Sequence, residues 1–411
     1  MNFFKKFSEI FRPQSGAVAF FTSIIIWGIG IGCFAAALNN FLSEIYSVDE
    51  WQRGWLEFYR EMPGLLLVVL LAILHRVSDW RILRLGTLVS MLAVLGLLIP
   101  VDRLWLTVLI VVWSTGEHLV MPIRSSIAVA VARPTHQGES LGLVTATMNA
   151  GHILGNIIVA LIFWLGLCVF HVTDHETLYK VVWCFIFLLM LISIFTTFTK
   201  NAPNIPSRRP RLYVRGKFWR FYILELFYGI RKQIFFTFGP YVLIRVYAMS
   251  TVEIAILMGV SATLNMLTSP LIGRLTDRFG YRNIMIYDTI ILFFVCLVYG
   301  YANQMFAMSI AIWVVCLNYL LDSVLSTCSL ATNLYAKRIS ANGDEFTSSL
   351  STGISVNHLV SIVFAPLGGW IWVHWGIGAL FSVAAVAALA NSFFAWTIPC
   401  HSDREDDRIT H

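Results

Sequence analysis

ELFYGIRKQIFFTFGPYVLI, residues 225–244, decides how this chain is read. Its Phe, Ile, Leu and Tyr suit a membrane-crossing helix, yet Arg231, Lys232 and Gln233 stand in its middle. A cation at the bilayer centre costs about 3 kcal/mol even on insertion scales. Counter-charge or water must therefore face these side chains. An intramembrane ionisable residue is by default a candidate functional site.

Composition makes the bilayer the solvent of the whole chain. Its 411 residues are 58% hydrophobic and 13% charged, against about 25% charged in soluble domains. Apolar runs of about 20 residues, enough to cross the hydrocarbon core, recur almost throughout. The first, residues 17–39, is too long for the apolar core of a signal peptide and reads as an uncleaved span. The seven cysteines form no CxxC pair and read as small buried hydrophobes. A net charge of +6 could suggest a nucleic-acid partner, but the basic residues sit in short loops between spans, so none is expected.

Twelve transmembrane helices are expected, over 17–46, 51–75, 82–100, 103–131, 138–166, 178–199, 218–247, 251–273, 282–302, 305–336, 346–374 and 376–398. One connector, NAPNIPSRRPRLYVRG (201–216), carries three prolines that discourage helix. The chain then reads as an all-α membrane protein: a six-helix bundle over 1–200, a basic linker over 201–216, a second bundle over 217–400 and a tail over 401–411. Of the 29 Lys and Arg, 21 fall on one side of this topology and 4 on the other. By the positive-inside rule both termini and the linker are cytoplasmic, in what reads as a bacterial inner membrane. The halves echo one another. Glu139 precedes His152 as Glu345 precedes His358, and Thr145, Asn149 and His152 recur as Ser351, Ser355 and His358, which suggests two pseudo-symmetric copies.

Between spans 8 and 9 stands GRLTDRFGYR, residues 273–282. It resembles the cytoplasmic-loop signature of the major facilitator superfamily, with matches at Gly273, Asp277, Arg278, Gly280 and Arg282. The glycines suit a tight turn, and the Asp and Arg residues suit charge-assisted contacts across the cytoplasmic face that hold one conformation. The first-half counterpart, LHRVSDWR (74–81), keeps only Arg81. Gly151 and Gly155 have the spacing of a helix-5 motif of the antiporter branch, for which close helix packing is the stronger reading. The resemblance implies a central cavity lined by spans 1, 4, 7 and 10, supported by 2, 5, 8 and 11.

Mid-membrane polar residues respect that division. Span 4 carries Glu117, His118 and Arg124, and span 5 carries Asn149, His152 and Asn156. Span 7 has Arg231 and Lys232, with Glu225 two turns before Lys232; span 8 has Asn265. Span 10 has Asn318 and Asp322 on a polar stripe, and span 11 has Asn357 and His358. Glu57, Arg60 and Glu61 of span 2 read as intrahelical ion pairs at its outer mouth. The cations of span 7 are expected to face Glu117 and Asp322 across a wet cavity. Glu117, Arg231, Lys232, Asp322, His152, His358, Asn149, Asn265, Asn318 and Arg124 are the candidate substrate or proton pathway.

No nucleotide-binding, redox or metal motif is present, so no cofactor or metal is expected and energy must come from a gradient. Enzyme chemistry is disfavoured because Glu117 and His118, adjacent in sequence, diverge by about 100° around a helix. The sequence reads as a monomeric secondary active transporter working by alternating access. Its partners are lipid, a small organic substrate, with a lean to an anion or zwitterion, and a proton or other coupling ion. Substrate competing for Arg231 or Lys232 would free Glu117 or Asp322 to take a proton. A multidrug or metabolite efflux antiporter is the alternative within the fold; a membrane sensor or assembly partner is the alternative outside it.

Overall fold

The computed structural model describes residues 7, 9–13, 15–198, 214–341 and 343–399. Most of the linker and the 401–411 tail lie outside the described residues. The helices are α1 (Ala17–Glu44), α2 (Glu50–Leu65, resuming as Leu67–Ile73), α3 (Asp79–Gly96), α4 (Arg103–Val131), α5 (Gln137–Trp164) and α6 (His175–Thr196). After the linker come α7 (Trp219–Arg245), α8 (Thr251–Phe279), α9 (Tyr281–Met305) and α10 (Met308–Ser326, resuming as Ser329–Ile339). The helical segment Gly343–Trp396 is two arms, α11 over 343–375 and α12 over 377–396, which reverse at Gly376. There φ is +82°, a left-handed conformation that glycine adopts without a Cβ penalty. Each of the twelve spans read from the sequence corresponds to one of these helices.

Helix starts are written into short polar turns. Asp49 and Ser250 form capping boxes with Gln52 and Glu253 at the starts of α2 and α8, and Asp102 caps α4 through the Trp105 amide at 2.8 Å. Breaks also have local causes. α2 interrupts at Leu66, just past Pro63, whose ring cannot donate to the preceding turn. α10 interrupts at 327–328, where the Ser326 and Thr327 hydroxyls donate to the carbonyls of Ser323 and Val324. Both interruptions fall where the sequence reads continuous helix.

In lipid, helices associate by close packing rather than by hydrophobic burial. α1 and α5 show this directly. Gly28 and Gly32 meet Gly151 and Gly155, and a Cβ on Gly155 would stand 2.3 Å from the Ile29 carbonyl. The packing reading of those glycines holds. The first six helices enclose one core, in which Phe34 stacks on Trp113 with ring centroids 4.0 Å apart. The last six enclose another, built on Phe235, Tyr299 and Phe381.

The halves meet along α2 with α11 and α5 with α8. One end of the molecule, called here the basic face, carries Arg12, Arg76, Arg133, Arg274 and Lys337. At the opposite face the halves are closed on one another. Asn40 Nδ2 donates to the Met249 carbonyl at 3.0 Å, Tyr241 donates to the Val48 carbonyl, and Arg245 pairs with Glu50 at 3.1 Å. Missing side chains let the backbones touch. A Cβ on Gly54 would lie 2.5 Å from the Ala365 carbonyl, and one on Gly369 would lie 2.7 Å from that of Glu50.

Candidate functional site

Beneath that seal, between the halves, lies a cavity of about 420 Å³. From the first half it is lined by Arg60 and Glu61 of α2 and by Glu117, His118 and Met121 of α4; from the second, by α7, by Ser329 and Asn333 of α10, and by Leu350, Ile354, Asn357 and His358 of α11. The α7 wall carries Glu225, Tyr228, Lys232, Gln233 and Phe236. α1, expected on this wall, supplies none of the lining residues named; its glycine face is taken up by α5. The supporting helices α2 and α11 stand in its place.

Adjacent residues on α7 divide the work, because they point about 100° apart. Arg231 is buried against α10, where Nη2 and Nε donate to Asp322 Oδ1 at 2.7 and 3.1 Å and Nη2 also donates to the Asp322 carbonyl at 2.8 Å. The pair stands off the cavity. A void of about 20 Å³ beside it, bounded by Arg231, Tyr228 and Asp288, has room for about one water molecule. Arg231 therefore meets Asp322 as its charge requires, but in a packed seam rather than across a wet chamber. Lys232 does face the cavity, with Nζ 3.5 Å from Asn357 Oδ1. Asn357 also bonds Glu225, and so links the cation to the acid two turns earlier.

α2 departs most from the sequence reading. Arg53, Glu57, Arg60 and Glu61 are all buried, not at an outer mouth. Glu57 accepts from Arg53 at 2.7 Å and from Arg60 at 2.5 Å, and Arg60 also reaches Glu61 at 2.9 Å. The pairs of Arg60 with Glu57 and Glu61 are those expected, Arg53 joins them unforeseen, and spacing alone carries no depth. Glu61 then crosses to the other half, where His358 Nδ1 donates to its Oε2 at 2.9 Å. His118 completes the group, with its ring centroid 5.2 Å from that of His358.

The other candidates scatter. Glu117 is half-buried on the cavity wall, and Arg124 stands further along α4 within electrostatic reach of both Glu117 and His152. His152 lies against α1 with Nε2 unpartnered, and its backbone abuts Gly32; unlike His358, its repeat counterpart, it is not among the cavity-lining residues. Asn149 is half-buried on α5. Asn265 donates to Ser323 at 2.7 Å, tying α8 to α10, and Asn318 donates to its own helix at Val314. In the α8–α9 turn, Gly280 has φ +80°, Arg282 donates to the Trp396 carbonyl at 2.7 Å, and Asp277 and Arg278 are exposed.

The sequence model of the Major Facilitator Superfamily matches residues 20–343. No curated protein matches by sequence. Among solved structures, the nucleoside transporter NupG superposes with a TM-score of 0.72 at 12% identity, covering 94% of this chain and 100% of its own. The D-xylose-proton symporter gives 0.70 at 12% identity, with 94% and 98% covered. The peptide transporter POT in complex with sulfate gives 0.74 at 13% identity, with 93% and 94% covered. At such identities the likeness carries the fold alone.

Proposed function

This chain belongs to the major facilitator superfamily as an integral, multi-pass membrane protein, and we propose that it is a proton-coupled secondary transporter of a small polar organic molecule bearing a carboxylate, most simply a zwitterion. The observation that carries this reading is the cavity of about 420 Å³ between the halves, walled by Lys232 on one side and Glu117 and Glu225 on others. Its size lies in the ordinary range of small-molecule sites, about 300–1,000 Å³. Asn333, Asn357 and Gln233 supply hydrogen bonds, and Tyr228 and Phe236 supply an apolar flank. With the basic face in the cytoplasm, the seal at Asn40, Tyr241 and Arg245 makes this the conformation closed to the outside.

Coupling is assigned to Asp322. A substrate carboxylate drawn to Lys232 loads the same turn of α7 that carries Arg231, and slackening of the Arg231 bonds lets Asp322 accept a proton. Rocking of the halves about α2–α11 and α5–α8 then exchanges access. Purified protein screened by thermal shift against amino acids, small peptides, sugar acids and nucleosides identifies the ligand; reconstituted vesicles with an imposed pH gradient then measure its accumulation. Specific binding without flux would place the chain among sensors. Flux of several unrelated dyes would favour the efflux reading, for which Phe221, Tyr228 and Phe236 on the cavity wall are the supporting feature.

A further inference from the structure

The geometry points to a divalent transition-metal site on the cavity wall, built by Glu61, His118 and His358. These three buried side chains place one ligand atom each within 4.8 Å of the others. They come from α2, α4 and α11, so no spacing motif marks them.

Orientation is the first argument. His118 Nδ1 lies 2.8 Å from its own helix's Ser114 carbonyl. That bond puts the proton on Nδ1 and leaves the Nε2 lone pair free. A ring anchored through its other nitrogen to a backbone carbonyl is how metal-bound histidines are ordinarily held. Ser114 is fixed in turn, its hydroxyl donating to the Arg60 carbonyl at 2.5 Å. On Glu61, Arg60 occupies Oε1 at 2.9 Å and leaves Oε2 toward His358. Space is the second argument. A Cβ on Gly64 would stand 2.7 Å from His118 Nε2 and 2.8 Å from His358 Nδ1; the bare glycine keeps the place between the two rings open.

The donor set selects the ion. Two imidazoles and one carboxylate suit Zn²⁺, Co²⁺, Ni²⁺ or Cu²⁺ rather than Mg²⁺ or Ca²⁺, and the cavity supplies the open fourth position. Tetrahedral bonds of about 2.0–2.1 Å set ligand atoms roughly 3.3 Å apart. Glu61 and His358 are already at 2.9 Å, and turning the imidazoles closes the wider gap. The ion replaces the proton shared by that pair. Charge permits it: Glu57, Glu61, Glu117 and Glu225 match Arg53, Arg60, Lys232 and Arg124 around the site, so the ion meets no net positive charge. Because Glu61 and His118 belong to the first half and His358 to the second, a bound ion clamps the halves with the opposite face sealed.

The test uses the full chain in detergent, stripped with chelator and titrated with Zn²⁺ and with Co²⁺. One equivalent binds per chain, Zn²⁺ raises the unfolding temperature while Mg²⁺ does not, and Co²⁺ gives the visible absorption of a tetrahedral site. His118→Ala and His358→Ala each weaken binding by about 100-fold or more. Gly64→Ala keeps all three ligands but fills their meeting point, and abolishes the Co²⁺ spectrum while the helical fold is retained. Absence of a stoichiometric ion in the wild type overturns the inference, as does equal binding by the wild type and these variants. The titration needs no substrate, so its outcome and that of the transport assays are independent.

Discussion

Arg231 and Asp322 join α7 to α10 by two side-chain hydrogen bonds, at 2.7 and 3.1 Å, while Lys232, one residue on, faces the cavity. A buried ion pair of this kind is poor evidence of stability for its own sake, since desolvation of both charges opposes their attraction. Its position suits the coupling role proposed for it. It lies one residue from the only lysine on the cavity wall, among the described residues, and helix α10 breaks only five residues beyond Asp322.

Asp322→Asn separates the two roles. Alone, it leaves Arg231 buried without counter-charge, a loss of about 3–5 kcal/mol, seen as a lower unfolding temperature in detergent. The double variant R231M/D322L replaces both charges by apolar groups of similar volume, and stability returns toward that of the wild type. Accumulation driven by a pH gradient does not return, whereas exchange of internal for external substrate persists. Restored uphill accumulation in the double variant would contradict the assignment of coupling to Asp322.

On the proposed function, Lys232 and Glu117 are expected to act on affinity instead. Removal of a charge-assisted hydrogen bond to substrate costs about 1.5–3 kcal/mol, or roughly 10- to 150-fold in Kd. Lys232→Ala weakens a carboxylate-bearing ligand by that factor, and Glu117→Gln weakens ligands bearing an amine but spares simple anions. Titration of the two variants with a zwitterion and with its amine-free analogue checks both. Equal loss for both ligands in E117Q would count against a paired-charge site.

What the sequence made legible follows from which rules are local. A bilayer imposes length and apolarity on each span, so twelve helices and their turns can be counted without coordinates. Buried charge demands a partner, so the cations of α7 pointed to Glu117 and Asp322, and Asp322 is the one that takes Arg231. The Glu61–His358 bond joins residues 297 positions apart, and a lone histidine on an apolar face has no signature; only packing brings it to a carboxylate. Depth was equally hidden. The Glu57–Arg60–Glu61 spacing announced ion pairs, but not that Arg53 joins them or that all four side chains are buried. The absence of α1 from the cavity wall is likewise a matter of packing, since Gly28 and Gly32 commit that face to α5.

The seal at the opposite face depends on missing side chains. Gly54→Val would drive its branches into the Ala365 carbonyl, already 2.5 Å from an ideal Cβ, and α2 and α11 must part. A cysteine at Val48, a residue 4% exposed beside Tyr241, reports this. In a chain whose exposed Cys168 and Cys184 are replaced by serine, it resists a membrane-impermeant maleimide added from outside; with Gly54→Val it is labelled quickly. Equal labelling with and without the valine would show that these backbones do not gate that face.

Glu57 is the fully buried carboxylate that holds Arg53 and Arg60 together. Glu57→Gln keeps the shape but leaves two guanidiniums with only the carboxylate of Glu61 and the amide of Asn39 between them. Stranding buried charge costs about 3–5 kcal/mol. Folding yield and unfolding temperature therefore fall, and the damage reaches the cavity because Arg60 and Glu61 line it. Glu57→Asp retains the charge with a shorter reach and recovers part of the loss. Unfolding in detergent, followed for wild type, E57Q and E57D, orders the three. An E57Q protein as stable as the wild type would mean that the cluster is already hydrated, and that Glu57 is not the counter-ion on which α2 depends.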